Sequence, residues 1–259
     1  KHQRGDEARQ IRDERKFGGT KYSLTDSKGR KLTEEQAEFF EYSYVRDFDY
    51  TKNRIKGDGF NLDYHGDPLE SKLKGVYHGS PNKGFSIFGE GKVPEFTGGF
   101  YFTDNKTVAD SYARREGEVR EFYLDMQNPL IIDVNQEQYT DISVPYYVWK
   151  EIEALTKDKY TNAGLRDVFE NGKRKTTANA HGIAYWAKEK GYDGVILLNV
   201  EDDAGVGRKS FGTDYIVFSP NQIKLTTNLN PTENDDIRYS LTDNKGRTLT
   251  KEQQEFFKD

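Results

Sequence analysis

Residues 98–117 read GGFYFTDNKTVADSYARREG, and their pattern sets the fold class. Two glycines lead into Phe100, Tyr101 and Phe102, an aromatic run of strand length that closes on Thr103 and Asp104. Thr103 to Asn105 then offer side chains able to cap a helix, and Val108, Tyr112 and Arg115 recur behind them at helical spacing. A strand therefore hands over to a helix within one short turn. Tyr101 and Tyr112 stand eleven residues apart on these two elements, so their rings can form a slot for a flat ligand. Two ordinary core aromatics would satisfy the same pattern.

Upstream, GVYHGS (75–80) reads as a short strand running into a turn. His78 at that strand end can point into a cleft or make a structural hydrogen bond, and Gly79 lets a ligand approach the backbone. Ser80 can assist a ligand or satisfy the turn. Between the two strands, GEGKVPEFTGG (89–99) is glycine-rich but lacks the spacing of a P-loop or dinucleotide fingerprint, and it reads as a flap or a surface loop. Downstream, EVREFYLDMQNPLIIDV suggests two strands around Asn-Pro. The stretch 145–190 is expected to be largely helical: YYVWKEIEALT, a basic loop NGKRK, then TTANAHGIAYWAKEKG closed by glycine. His181 in that last helix reads as packing or solvent-facing. DGVILLNV and TDYIVFSP are apolar, β-branched runs of strand length. Asp214 is expected at the start of the second, where a buried carboxylate needs a partner or a task. Strands with inserted helices and no regular βαβ alternation indicate an α+β fold.

Composition narrows the chemistry. The 259 residues carry 39 basic and 44 acidic side chains, a net charge of -5, so no overall basic field attracts nucleic acid. Cysteine is absent, which excludes disulfides, thiolate catalysis and Cys-based zinc sites. The four histidines, at 2, 65, 78 and 181, lack the spacing of a zinc-binding helix, so no metal is expected. No apolar run has the length needed to cross a bilayer. At 34% hydrophobic residues the apolar fraction is low for a compact domain, and 17 Tyr and 16 Phe offset this by the large area each ring buries.

The chain also repeats itself. Residues 21–40, KYSLTDSKGRKLTEEQAEFF, return as RYSLTDNKGRTLTKEQQEFF at 238–257, identical at fifteen of twenty positions. Each copy reads as an Asp-x-Lys-Gly turn followed by a short helix, capped by Thr33 or Thr250 with Gln36 or Gln253 three residues on. A duplicated linker and a docking or processing tag both fit. The division expected is a linker over 1–40, one domain over 41–227, and a second linker over 228–259, within a longer polypeptide.

Six blocks occur in one order: VYHGS (76–80), FSIF (85–88), FYFTDN (100–105), NPL (128–130), YDGVI (192–196) and IVFSPNQIK (216–224). Together, over roughly 75–225, they resemble the ADP-ribosyltransferase domains of polyvalent proteins from phages and mobile elements, in the His-Tyr-acid branch of diphtheria toxin and the poly-ADP-ribose polymerases. The resemblance implies the ADP-ribosyltransferase fold, a split, curved antiparallel β-sheet with inserted helices. It implies transfer of ADP-ribose from NAD, as co-substrate, to an unidentified macromolecular acceptor, a protein rather than a nucleic acid, in the cytoplasm of a bacterial host. On this chain it implies His78 on the adenosine ribose, the Gly79 backbone on the nicotinamide carboxamide, Ser80 beside them, Tyr112 stacked on the nicotinamide, Tyr101 bracing the slot, and Asp214 as the catalytic carboxylate. The polymerases carry Glu at that last place. Asp is one methylene shorter, and Glu201, Asp202 and Asp203 on the preceding loop are the alternatives. NAD hydrolysis, or a binding module that has lost its acid, would use the same pocket.

Overall fold

The computed structural model describes residues 25–47, 71–88, 97–157, 163–170, 172–202 and 209–235. In chain order the elements are α1 (Glu34–Phe39), β1 (Val76–Ser80), β2 (Phe100–Thr103), α2 (Lys106–Ala113), β3 (Glu118–Leu124), β4 (Pro129–Asp133), β5 (Ile142–Ser143), α3 (Tyr146–Thr156), β6 (Arg166–Glu170), β7 (Lys173–Ala178), α4 (Ala180–Glu189), β8 (Gly194–Glu201), β9 (Phe211–Val217) and β10 (Ile223–Leu225). This is an α+β fold. Seven strands form one sheet in the order β10-β3-β1-β2-β9-β8-β4, and a second sheet runs β5-β7-β6.

The large sheet is antiparallel except at one edge, where β4 lies parallel to β8. Parallel pairing demands a long crossover, and the chain supplies one in α3, the small sheet and α4. The two halves of the large sheet meet between β1 and β2 at a single register pair, Tyr77 with Thr103. The expected split lies at this seam. One apolar cluster, with Val195, Leu197 and Ile216, fills the space under α3 and α4; a second, rich in Phe, lies on the other face around Phe88, Phe102 and Tyr215.

The expectation of a largely helical 145–190 is corrected. Residues 166–178 form the hairpin β6–β7, whose register pairs Glu170 with Lys173 across a two-residue connection at Asn-Gly. That dipeptide favours the tight turn that matches strand twist, and Gly172 has φ +76°. Arg174 then ties to Asp167 across the strands at 2.8 Å and 2.5 Å.

Residues 25–40 of the first repeat copy pack against β3 and the segment before β1. Asp26 is buried and accepts hydrogen bonds from the Arg30 backbone N–H at 2.7 Å and the Tyr123 hydroxyl at 3.1 Å. The Arg30 guanidinium forks onto Glu121 of β3 with both contacts at 2.9 Å. Leu32 and Phe40 join Leu73 and Tyr123 in a small core. Thr33 caps α1 in the reciprocal box with Gln36, whose amide also donates to the Asn228 carbonyl at 2.8 Å. The second copy, residues 1–20, Lys92 and the flap over 89–96 lie outside the described residues.

Candidate active site

The seam between β1 and β2 opens into a cavity of about 500 Å³, and all six residues singled out in the sequence line it. That is within the size range of small-molecule sites. His78 stands on the β1 side. Its Nδ1 lies 2.7 Å from the Tyr101 carbonyl of β2, bridging the seam where the ladder gives out. A carbonyl only accepts, so Nδ1 carries the proton. Burial among Phe85, Phe88, Phe102 and Phe122, with Arg120 nearby, holds the imidazole below its ordinary pKa and hence neutral. Neutrality with a protonated Nδ1 leaves Nε2 as an acceptor for a ligand hydroxyl.

Gly79 lines the cavity and also has a packing role. A Cβ there would meet the Ala109 carbonyl oxygen at 1.8 Å, so the absent side chain is what lets α2 lie against β1. Ser80 is buried, and its hydroxyl accepts from the Asn82 N–H at 3.0 Å, the turn role. Asn105 caps α2 by accepting from the Thr107 N–H at 2.9 Å, as its position beside Thr103 led one to expect.

Tyr101 donates its hydroxyl to the Thr97 carbonyl at 2.8 Å and meets the His181 ring edge-on at 5.4 Å. Burial, then the Asp214 carboxyl, raises its pKa well above normal, so the phenol stays neutral. Tyr112 is the exposed wall, 36% accessible, and its hydroxyl donates to Asp202 Oδ1 at 2.7 Å.

Asp214 is not at the start of its strand. It is the fourth residue of β9, 5% accessible, opposite Thr103 of β2 and Leu197 of β8. Burial first, and then the Asp202 carboxyl, raise its pKa well above the usual carboxylate range, while a hydrogen bond from Thr103 pulls it down. Of the alternatives, Glu201 is engaged by Gln138 at 3.2 Å and Lys209 at 3.5 Å, Asp203 lies outside the described residues, and Asp202 lines the cavity. Tyr139 and His181 also line it, neither chosen for the site from the sequence. His181 is in the first turn of α4, set there by the Asn179 cap, and burial lowers its pKa. Its neighbour Ala180 ties back to the Tyr139 carbonyl at 2.8 Å.

A family model described as ADP-Ribosyltransferase in polyvalent proteins matches residues 64–233. The chain belongs to this family. Its general activity is therefore ADP-ribosyl transfer; domains of this kind use NAD as co-substrate. No curated protein matches the chain. One solved structure, titled as an anti-CRISPR protein, is similar at 16% identity over 58% of this chain and 93% of that one, with a TM-score of 0.28, too low to carry a structural argument. Among the described residues of this ADP-ribosyltransferase, no helix is long and apolar enough to cross a membrane, and no group of three or more His, Asp or Glu could hold a metal ion.

Proposed function

We propose that this domain cleaves NAD at the bond between ribose and nicotinamide and passes a single ADP-ribose to a macromolecular acceptor. The observation that carries this reading is the convergence of His78, Gly79, Ser80, Tyr101, Tyr112 and Asp214 on one cavity at the sheet seam. His78 Nε2 accepts from a ribose hydroxyl, and the half-exposed Tyr112 ring stacks on the nicotinamide with Tyr101 bracing the slot. The bond breaks through an oxocarbenium-like state, and a carboxylate in a water-poor pocket stabilises positive charge as it develops. Asp214 is that carboxylate. Its reach is short, which favours one transfer over chain growth.

The acceptor proposed is a bacterial host protein in the host cytoplasm, on the strength of the resemblance to phage and mobile-element domains. The domain itself is proposed to begin at or before Thr25, because residues 25–40 of the first repeat copy pack against it. Incubation of the chain with labelled NAD and bacterial lysate tests the reading, beside His78→Ala and Asp214→Ala. Label on a discrete macromolecule, lost in both variants, is the expected result. Nicotinamide release without label would replace transfer by hydrolysis, and NAD binding without release would leave a binding module.

A further inference from the structure

β8 and β9 bring a second carboxylate beside Asp214, and an irregularity in the ladder is what does so. Leu197 pairs with Asp214, but Val200 pairs with Gly212, so β8 contains one residue more than its partner over this stretch. The extra residue falls at a bulge where Asn199 has φ +55°. Side chains alternate along a strand, and directly paired residues share a face. Without the bulge, Glu201 would share the face of Leu197 and Asp214. With it, Glu201 pairs with Phe211 on the far face, and Asp202, bonded through its N–H to the Ser210 carbonyl at 3.0 Å, turns to the Asp214 side. The bulge is anchored: the Asn199 amide donates to Asp133 at 3.0 Å, and its carbonyl accepts from the Gln136 N–H at 2.7 Å.

We infer that Asp202 and Asp214 act as one acid, a carboxyl pair that holds a single shared proton in the free pocket and gives it up when the positively charged nicotinamide ribosyl group enters. This rests on the donor reading of the pocket. Asp202 is a positioning residue: it holds Asp214 on one side and the Tyr112 hydroxyl on the other. An ionised carboxylate has only acceptors, so two carboxyls that hydrogen-bond each other need a proton between them. Both are under 10% accessible, so the doubly ionised pair has little water to stabilise it. Among the described residues, the other groups facing the pair do not supply a cation. Tyr101, Tyr112, Tyr139 and Tyr185 are phenols, His181 is held toward neutrality by burial, and Asp104 adds negative charge. Lys74 is engaged by Asp104 at 2.7 Å and Lys209 by Glu201 at 3.5 Å. In this proposal the charge that frees the proton arrives with the ligand.

NAD binding to the full chain is measured calorimetrically in buffers of different ionisation enthalpy, from about pH 5 to pH 8. The expected result is release of about one proton per NAD at the acid end, falling toward none as the pair ionises by itself. In Asp202→Asn the amide donates to Asp214 and still accepts from Tyr112, so release is lost. Binding without proton release at any pH, or undiminished release in Asp202→Asn, overturns the inference. Carboxyl carbon NMR of the free protein reads the pair without NAD: two coupled aspartate titrations that collapse to one in Asp202→Asn support it, and two independent ones overturn it. Failure to bind NAD sinks the donor reading instead, and the NMR titration still decides the acid pair.

Discussion

Gly79→Ala separates two explanations of why glycine follows His78. If glycine serves ligand approach, alanine leaves the fold intact and weakens NAD binding alone. The structure instead puts the new Cβ 1.8 Å from the Ala109 carbonyl, where real Cβ atoms essentially never come within 3.0 Å, so α2 has to move about 1.2 Å off β1. The contact is with backbone, so no side-chain rotation relieves it. Val108, Ala109 and Ala113, the buried face of α2, lose packing as the helix lifts. Overpacking of this kind costs about 3 kcal/mol, which for a domain of this size lowers Tm by roughly 6–12 °C. Thermal unfolding followed by circular dichroism, beside NAD affinity, is the assay. A Tm within a degree or two of wild type, with NAD affinity reduced, would refute the packing argument and restore the ligand-approach one.

Other substitutions probe separate parts of the molecule. Phe40→Ala deletes a ring that is 1% accessible and edge-on to Tyr123 at 5.6 Å; a loss of about 3–4 kcal/mol in urea unfolding is expected, whereas an exposed linker would show none. Asp193 has its pKa pushed up to about 6 by burial, against the Asn128 and Gln127 N–H groups that pull it down. Its folded pKa lies above the unfolded value of 3.8, so its contribution is complete below that value and is lost as pH rises through about 6, by up to about 3 kcal/mol. Unfolding at intervals across that window should show the slope shrink in Asp193→Asn. Tyr112→Phe keeps the stacking face and should change NAD affinity less than tenfold, whereas Tyr112→Ala should cost more than that; equal losses would mean that the hydroxyl and not the ring is what matters.

What could be read from sequence was local. The cap at Asn105, the strands at 100–103 and 194–201, and the capping box at Thr33 are each set by neighbours within a few residues, and each stands in the structure. Strand β7 escaped because KRKTTA has the burial pattern eeiBBB, exposed then buried with no period of two to betray a strand. The turn that makes it a hairpin was visible as Asn-Gly, but a run of Lys and Arg drew attention to charge instead. Tyr139 and His181 escaped for another reason. They reach the cavity because α4 and the segment before β5 fold over the sheet, and neither residue belongs to a motif whose spacing could announce it.

The acid is the hardest case, and it shows why the limit is physical. The sequence offers Glu201-Asp202-Asp203 before the loop and Asp214 after it, and nothing local ranks the first three. A regular strand of period two through Leu197 would select Glu201, the longer acid that the polymerase pattern favours. One residue inserted at Asn199 reverses the alternation, sends Glu201 to Gln138 and Lys209, and delivers Asp202 to Asp214 and Tyr112. The bulge is itself held by Asp133 and Gln136, more than sixty residues upstream, through the parallel pairing of β4 with β8. The identity of the second carboxylate thus depends on which strand lies at the far edge of the sheet. The bulge thus decides which carboxyl shares a face with Asp214: Asp202 with it, Glu201 without it.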